Sequence, residues 1–246
     1  MKKTIKTETT TALNLVRGRR PTQAERSEAT RERVIAAAIS LLHKEGYSGA
    51  TTLSIRRAAG VSMGAMQHQF PTKAELMAAV QERLTGERFT QFERALRASG
   101  APFERIDRLL DVAGTLIGSP SFAASMEIEL ARRADKELDA VTARILAPFG
   151  AGFRALMDEV VSGFDEATAL KVRQLQLLAG ATIRGLTIDV VTGGEPAAAQ
   201  AAFQFWREIA LQQLADETAR PAAPKAAAGK RRTSAVSPER RTDRGR

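Results

Sequence analysis

The chain has 246 residues, enough for one small and one medium domain, and its hydrophobic content of 43% is ordinary for a protein that buries a core. It has no cysteine and two histidines, which excludes disulfides and thiolate metal sites and nearly excludes a histidine metal cluster. No apolar stretch approaches the roughly 18 residues that a membrane span requires, and no apolar segment follows the N-terminal lysines. We therefore expect a cytoplasmic protein that needs no cofactor or metal and contacts no membrane.

The net charge of +9 is distributed unevenly along the chain. Residues 1–30 carry +4, residues 31–85 carry +3, residues 86–220 carry −4 and residues 221–246 carry +6. This pattern is typical of a protein whose N-terminal part meets a polyanion while its middle has another task. A merely solubilising role for the C-terminal basic tail is an equally good interpretation.

The N-terminal third contains three helix signals. Residues 1–21 are expected to form a flexible basic arm. A capping box of Thr22 and Glu25 opens a first helix of about residues 22 to 45, which ends at Gly46. Two short helical segments then follow within residues 51–70, joined by a turn at Gly60. Two short helices with a glycine-containing turn predict a helix-turn-helix.

The rest of the chain is also helical in its apolar spacing, which predicts an all-α protein of about nine helices. A long helix should start behind a second capping box at Thr72, and we expect a bend at Gly86, where the domain of residues 22–85 ends. The bundle of residues 86–217 should contain five more helices, one of them kinked at Pro148. Residues 218–246 have no periodicity and are expected to be disordered. The breaks between helices fall at Gly118-Ser119-Pro120, around residues 133–135, at Ser162-Gly163 and at residues 193–196.

The helix-turn-helix residues divide into a core set and an exposed set. Ile55, Val61, Met66 and Phe70 should form the small core, which leaves the second helix with an exposed face of small and amide side chains. Such a face suits the major groove of DNA, where glutamine can pair with adenine and methyl groups can meet thymine methyls. The exposed positions are Met63, Ala65, Gln67, His68 and Gln69.

The segment from Arg33 to Leu84 resembles the DNA-binding domain of the TetR family. The matching residues, in order, are Gly46-Tyr47, Thr51-Thr52, Ile55, Ala59-Gly60-Val61-Ser62, Gly64, Phe70, Lys73 and Leu76. The resemblance implies that the third helix is the recognition helix, that the threonines before the second helix and Lys73 contact phosphates, and that the later helices bind an inducer and dimerise. Together with the exposed positions, the resemblance gives an expected DNA-contacting set of Thr51, Thr52, Arg56, Ser62, Met63, Gly64, Ala65, Gln67, His68 and Lys73.

Three residues depart from the family pattern. Gln67 stands where the family has tyrosine, Gln69 stands where it has histidine, and Arg56 replaces a small residue between the two helices of the motif. We expect the Arg56 side chain to extend outward, where it could reach a phosphate. An operator unlike the family's usual ones follows from these differences. The arm residues Arg17, Arg19 and Arg20 could enter the adjacent minor groove, or simply be solvated.

Large apolar residues of the second domain are candidates for a ligand pocket, although each could equally be plain core. Arg184 lies in an apolar stretch and is interpreted first as a solvated residue, with an anionic ligand or an acid at a dimer seam as alternatives. The candidate pocket residues are Phe103, Leu116, Phe122, Met126, Phe149, Phe153 and Met157.

The last two helices span about residues 166–191 and 197–216. Each has more apolar residues than a single buried face can account for. Burial against a symmetry mate would give a four-helix interface, and the two recognition helices would then lie roughly 35 Å apart, one DNA turn. The residues expected at this interface are Leu175, Leu178, Ile183, Leu186, Phe203, Trp206, Ala210 and Leu214.

The patterns predict a homodimer that binds palindromic double-stranded DNA, and the resemblance implies a regulator, specifically a repressor, that a small-molecule inducer releases from its operator. A ligand-independent activator or architectural DNA-binding protein is one alternative, and a helical small-molecule-binding protein or enzyme is another. The Gly60-Val61-Ser62-Met63-Gly64 run fits the pattern of a hydrolase nucleophile elbow, but a helix rather than a strand precedes it. An enzyme is therefore not expected.

Overall fold

The computed structural model describes residues 22–219, and within them the chain forms nine α-helices. The predicted arm, with Arg17, Arg19 and Arg20, and the C-terminal tail lie outside the described residues. The nine helices within residues 22–219 confirm the all-α prediction and the predicted number of helices. The helices are α1 Gln23–Gly49, α2 Thr52–Ala59, α3 Met63–Gln69, α4 Lys73–Arg97, α5 Pro102–Gly114, α6 Pro120–Ala131, α7 Lys136–Val161, α8 Glu166–Val191 and α9 Pro196–Ala219.

Helices α1 to α3 form a unit that we call the head. The capping box of Thr22 and Glu25 is present at the start of α1, as predicted. Gly46 has φ 68° and ψ −177°, which interrupts the helical backbone of α1 where the sequence predicts its end. Gly60 closes α2 in the left-handed conformation, with φ 63° and ψ 39°.

The head core contains the predicted residues and extends beyond the head. Ile55, Val61, Met66 and Phe70 are all buried, together with Val34, Ala38 and Leu42 of α1. Ala124 and Ile128 of α6 and Leu138 of α7 belong to the same cluster. The head is therefore packed directly on the remaining helices, which we call the body (α5 to α9), and α4 contributes to both.

Helix α4 runs without interruption through Gly86. The ring of Phe149 packs against that glycine, at 3.6 Å from the position of a Cβ, and supports the helix there. The helix is therefore not interrupted at this residue, and the predicted bend stays a prediction. Helix α7 likewise continues through Pro148, whose nitrogen has no hydrogen to donate.

The breaks between the body helices agree with the sequence prediction, since α5 ends before Gly118 and α6 begins at Pro120. Ser119, Asp135 and Asp165 cap the following helices by accepting hydrogen bonds from backbone amides. No helix within residues 22–219 is long and apolar enough to cross a membrane.

Candidate DNA-contacting surface and ligand cavity

The recognition helix α3 begins at a side-chain cap. The hydroxyl oxygen of Ser62 accepts a hydrogen bond from the amide of Ala65 at 3.2 Å, and Met66 anchors the helix in the head core. Because Met66 points inward, Met63, Gly64, Gln67 and His68 share the outward face, and all four are exposed. Ala65 is half-buried against the core, so its methyl group is less available to a base than the sequence suggested.

The second helix of the motif also begins at a capped end. Thr51 accepts a hydrogen bond from the amide of Ser54 at 3.1 Å and donates its own hydroxyl hydrogen to Ser54 at 3.0 Å. Thr52 is the first helical residue and is partly exposed. Both threonines therefore lie at a helix N-terminus, where backbone amides are unpaired and the dipole favours an anion such as a phosphate.

Arg56 does not extend outward as the sequence predicted. Its guanidinium folds back over the turn and donates to the carbonyl oxygen of Val61 at 3.3 Å, and its Nε is buried without a partner. The turn carbonyl attracts the cation because no acidic partner stands beside this side chain in the described head. The neighbouring Arg57, which is not among the predicted DNA contacts, is exposed in the last turn of α2.

Lys73 is also engaged within the protein. Its Nζ donates to the carbonyl oxygen of Tyr47 at 3.0 Å and lies 3.9 Å from the centre of the tyrosine ring. Burial lowers the pKa of Lys73, while Asp135 acts in the opposite direction. Its expected phosphate contact would require the ammonium to turn away from Tyr47.

Gln69, the other unusual residue of the motif, stabilises the head internally. Its Nε2 donates to the hydroxyl oxygen of Ser27 at 2.6 Å, which joins the end of α3 to the start of α1. The side chain at this position is thus bonded within the head, where it connects α3 to α1. No local sequence pattern indicates this bond, because the two residues are 42 positions apart.

The body encloses a cavity of about 390 Å³ between α4 and α5 to α9, within the range of small-molecule sites. Four of the predicted pocket residues line it: Leu116, Phe122, Phe153 and Met157. A second cavity, of about 290 Å³, adjoins it and is lined by Phe149 and Phe153 among others. Phe103 packs in the same apolar cluster as Phe153 and Met157, and Met126 lies on α6; neither lines these two cavities, and their place in a ligand site stays a prediction.

The residues that the sequence assigned to a dimer interface mostly face inward. Ile183, Phe203, Ala210 and Leu214 are buried within the protomer. Leu175 lines the cavity together with three of these residues, while Leu186 and Trp206 pack on the core. Only Leu178 of the predicted set is strongly exposed, at 53%. Helices α8 and α9 are apolar on both sides, and composition alone could not tell the inner side from the outer.

The outer sides of α8 and α9 carry an apolar surface that we call the outer face. Its α8 residues recur at helical spacing, and Leu177 is 74% exposed. On α9, Phe205 is 66% exposed. The helical spacing of these apolar residues can be recognised in the sequence. It identifies the outer face only when at least one residue of the same helix is known to face the core. The exposed members are Leu170, Leu177, Leu178, Ile188, Val191, Phe205 and Ile209.

Residues 34–80 match the family described as bacterial regulatory proteins, tetR family. The transcriptional regulator CymR of Pseudomonas putida is 39% identical over 121 residues, which cover 49% of this chain and 59% of CymR. The chain thus spans less than two thirds of that relative's length.

Two solved structures share the fold of this chain. A TetR-family regulator from Streptomyces coelicolor has a TM-score of 0.59 and 18% identity, covering 76% of this chain and 96% of its own. The multidrug binding protein EbrR, solved with ethidium, has a TM-score of 0.50 and 22% identity, covering 75% of this chain and 97% of its own. The family match of residues 34–80 and the relative CymR agree that this part of the chain is similar to the helix-turn-helix transcriptional regulators of the TetR family, and the two solved structures share the fold of the described chain.

Proposed function

We propose that this protein is a homodimeric repressor that binds a palindromic operator through its head and leaves it when a small molecule fills the body cavity. The observation that carries the proposal is helix α6, which touches both sites. Phe122 at its start lines the cavity, and Ile128 near its end is buried in the head core.

A chain of hydrogen bonds leads from α6 to the motif. The carboxylate of Glu127 accepts from the amide of Tyr47 at 2.8 Å, and the Tyr47 carbonyl accepts from Lys73, the first residue of α4. A shift of α6 on ligand binding would therefore move Tyr47 and the start of α4, which directly follows the recognition helix. Release requires that the ligand prefer one of two arrangements of the dimer.

Base contacts are expected from Met63, Gln67 and His68, and contacts that position the protein from Thr51, Thr52, Ser62 and Arg57. Gln67 is exposed on α3, and its amide can pair with adenine twice, by accepting at the oxygen and donating from the nitrogen. Homodimerisation is supported by the outer face, because several large apolar residues are exposed there on two helices, whereas exposed apolar residues on a monomer are usually scattered singly. EbrR, a protein of the same fold, was solved with ethidium, which supports the body as the ligand-binding part.

The DNA-binding part of the proposal is tested by selecting genomic fragments with the purified protein and footprinting them. Replacing Gln67 with Ala should weaken the selected palindrome by about 1–3 kcal/mol and leave scrambled DNA almost unaffected. Gln91→Ala, an exposed glutamine on the body end of α4, is the matched control and should change neither. Equal losses on both DNAs would show that Gln67 contacts only the backbone.

Salt titration separates the operator-binding function from the architectural alternative. Binding that falls steeply with salt and is equal on all sequences would support an architectural protein, while a large ratio of specific to non-specific affinity supports operator binding. The release step is tested with compounds that raise the melting temperature of the free protein. An operator complex that none of these stabilising compounds dissociates would contradict ligand-released repression.

A further inference from the structure

Arg88 occupies an unusual position for a charged side chain. It lies on α4 and lines both the 390 Å³ cavity and the adjoining 290 Å³ cavity, together with Phe92 and Phe153. Arg88 thus lies at the boundary of the two cavities, whose shared lining also includes the rings of Phe92 and Phe153.

The contacts of Arg88 leave its charge without a neutralising partner. Its Nη2 donates to the hydroxyl oxygen of Thr85 at 3.4 Å, a long bond, and its guanidinium carbon lies 5.6 Å from the centre of the Phe122 ring. No carboxylate of residues 22–219 comes within 4.0 Å of it as an ion pair. Burial lowers the pKa of Arg88, which shows that its surroundings disfavour the charge.

The nearest acid, Glu129, is occupied by other donors. It attracts Arg88 through space, but its Oε1 accepts from Gln81 at 2.9 Å and its Oε2 accepts from Arg132 at 2.9 Å. Both carboxylate oxygens are therefore already bonded, and Arg132 competes for the negative charge. Arg88 keeps donors that are free to bind a group in the cavity.

The other lining residues do not neutralise Arg88. Among the described residues that line the larger cavity, the charged ones are Arg88 and Arg184, and all the others are apolar apart from Gln176. Arg184 is exposed, as the sequence predicts, and so is Leu177 of the same lining. The charged groups of the larger cavity's lining are therefore positive and the rest of its wall is mostly apolar, while Glu129 lines the adjoining smaller cavity.

We propose that the ligand of this cavity is an organic carboxylate, with an apolar body held by the aromatic and aliphatic walls and a carboxylate that pairs with Arg88. This rests on the proposed function, in which the cavity holds the effector. A guanidinium binds a carboxylate through two parallel hydrogen bonds, and in an apolar cavity such a pair is strong because water does not compete. A neutral ligand of the same shape would leave the charge of Arg88 unpaired and would therefore bind with lower affinity.

The test compares the affinities of ligand pairs that differ only in charge. Each dissociation constant is measured by calorimetry on the full-length protein without DNA. Suitable pairs are octanoate with octanamide and 4-phenylbutanoate with 4-phenylbutanamide, because each amide has the shape of its acid. We expect the wild-type protein to bind at least one carboxylate about tenfold or more tightly than its amide. Equal affinities within both pairs, or no binding of either carboxylate at millimolar concentration, would overturn the proposal without any variant being made.

Two arginine variants identify the group responsible. Arg88→Gln should abolish the preference for the carboxylate, and Arg88→Lys, which keeps the charge, should retain much of it. Arg94→Gln is the matched control, because Arg94 is an exposed arginine on the same helix that lines neither cavity, and it should retain the preference. A preference that persists in Arg88→Gln, with a melting curve like that of the wild type, would overturn the assignment to Arg88.

The outcome is separable from that of the proposed function. A carboxylate that binds through Arg88 but leaves the operator complex intact would contradict ligand-released repression and support this site. Release of DNA by neutral compounds alone would support repression and overturn the carboxylate site.

Discussion

The head and the body are both built from apolar helices, but their polar side chains act over different distances along the chain. In the head, Thr22, Thr51 and Ser62 accept hydrogen bonds from amides three positions away and so fix where each helix starts. The body helices have local caps as well, but there Arg105 also bonds Glu159 across 54 positions and Arg207 bonds Asp107 across 100. The head has a comparable distant bond between Gln69 and Ser27, across 42 positions. Local contacts make the head recognisable from its sequence, while the body is determined by contacts that no short pattern displays.

The body also uses its apolar surface in two ways that the head does not. The inner sides of α8 and α9 line a cavity, and their outer sides remain exposed in the protomer. The head has a filled core and no comparable outer apolar surface. Substitutions that affect one of these features at a time can therefore separate folding, assembly and DNA contact.

The largest effect is expected on the outer face of the body. Phe205→Glu adds a carboxylate to a surface where 66% of the native side chain is exposed. In a two-fold interface the charge would be buried against the symmetry mate, so we expect the dimer dissociation constant to rise by about 100-fold or more. Sedimentation equilibrium measures this directly, and operator affinity should fall with it because two heads would no longer be held together.

Leu130→Glu is the matched control for this experiment. Leu130 is 57% exposed but lies on α6, away from the outer face, so its variant should remain a dimer. A Phe205→Glu protein that dimerises as tightly as the wild type would move the interface to another part of the molecule.

A smaller effect is expected where the head meets the body. Gly46 has φ 68° and ψ −177°, a conformation that is essentially restricted to glycine, and a Cβ there would lie 3.2 Å from Oε2 of Glu127. Gly46→Ala should therefore lower the free energy of unfolding by about 1–3 kcal/mol, because it strains the backbone and disturbs the bond from Glu127 to Tyr47. Urea denaturation of the purified variant checks this value.

Gly64→Ala is the control that shows whether the loss of unfolding free energy in Gly46→Ala is specific to position 46. Gly64 lies in α3, its φ is ordinary for a helix, and no atom lies within 4 Å of the position of its Cβ. Alanine should stabilise the helix there by up to about 1 kcal/mol. Similar losses in both variants would mean that the junction of head and body has no special requirement for glycine at position 46.

The same difference between local and distant contacts explains what could be predicted from the sequence. The helix starts at Thr22, Thr51 and Ser62, and the stops at Gly46 and Gly60, follow from residues adjacent in the chain, and the structure confirms them. The outward-facing Arg56 was a wrong prediction because the acceptor that holds it, the Val61 carbonyl, exists only once the turn has formed.

The body could not be predicted in the same detail. Its helix boundaries were indicated by Gly, Pro and Asp residues, but which side of α8 or α9 faces the core depends on packing against α5 and α7. The buried Phe203 and the exposed Phe205 are two positions apart on the same helix, and hydrophobicity does not distinguish them. Arg88 was missed for a related reason, since its cavity is formed by helices distant in sequence.

The smallest effect is expected at the start of the recognition helix. Ser62→Ala removes the acceptor of the Ala65 amide and should lower the free energy of unfolding by about 1 kcal/mol, because one backbone donor loses its cap. Ser62→Asp should restore this stability, since a carboxylate caps equally well and favours the positive end of the helix. If Ser62 also lies near a phosphate, the same carboxylate should weaken operator binding while the protein remains stable. Parallel urea and DNA titrations of the two variants would then separate the two roles of this serine, and an aspartate variant that binds the operator as well as the wild type would restrict Ser62 to capping.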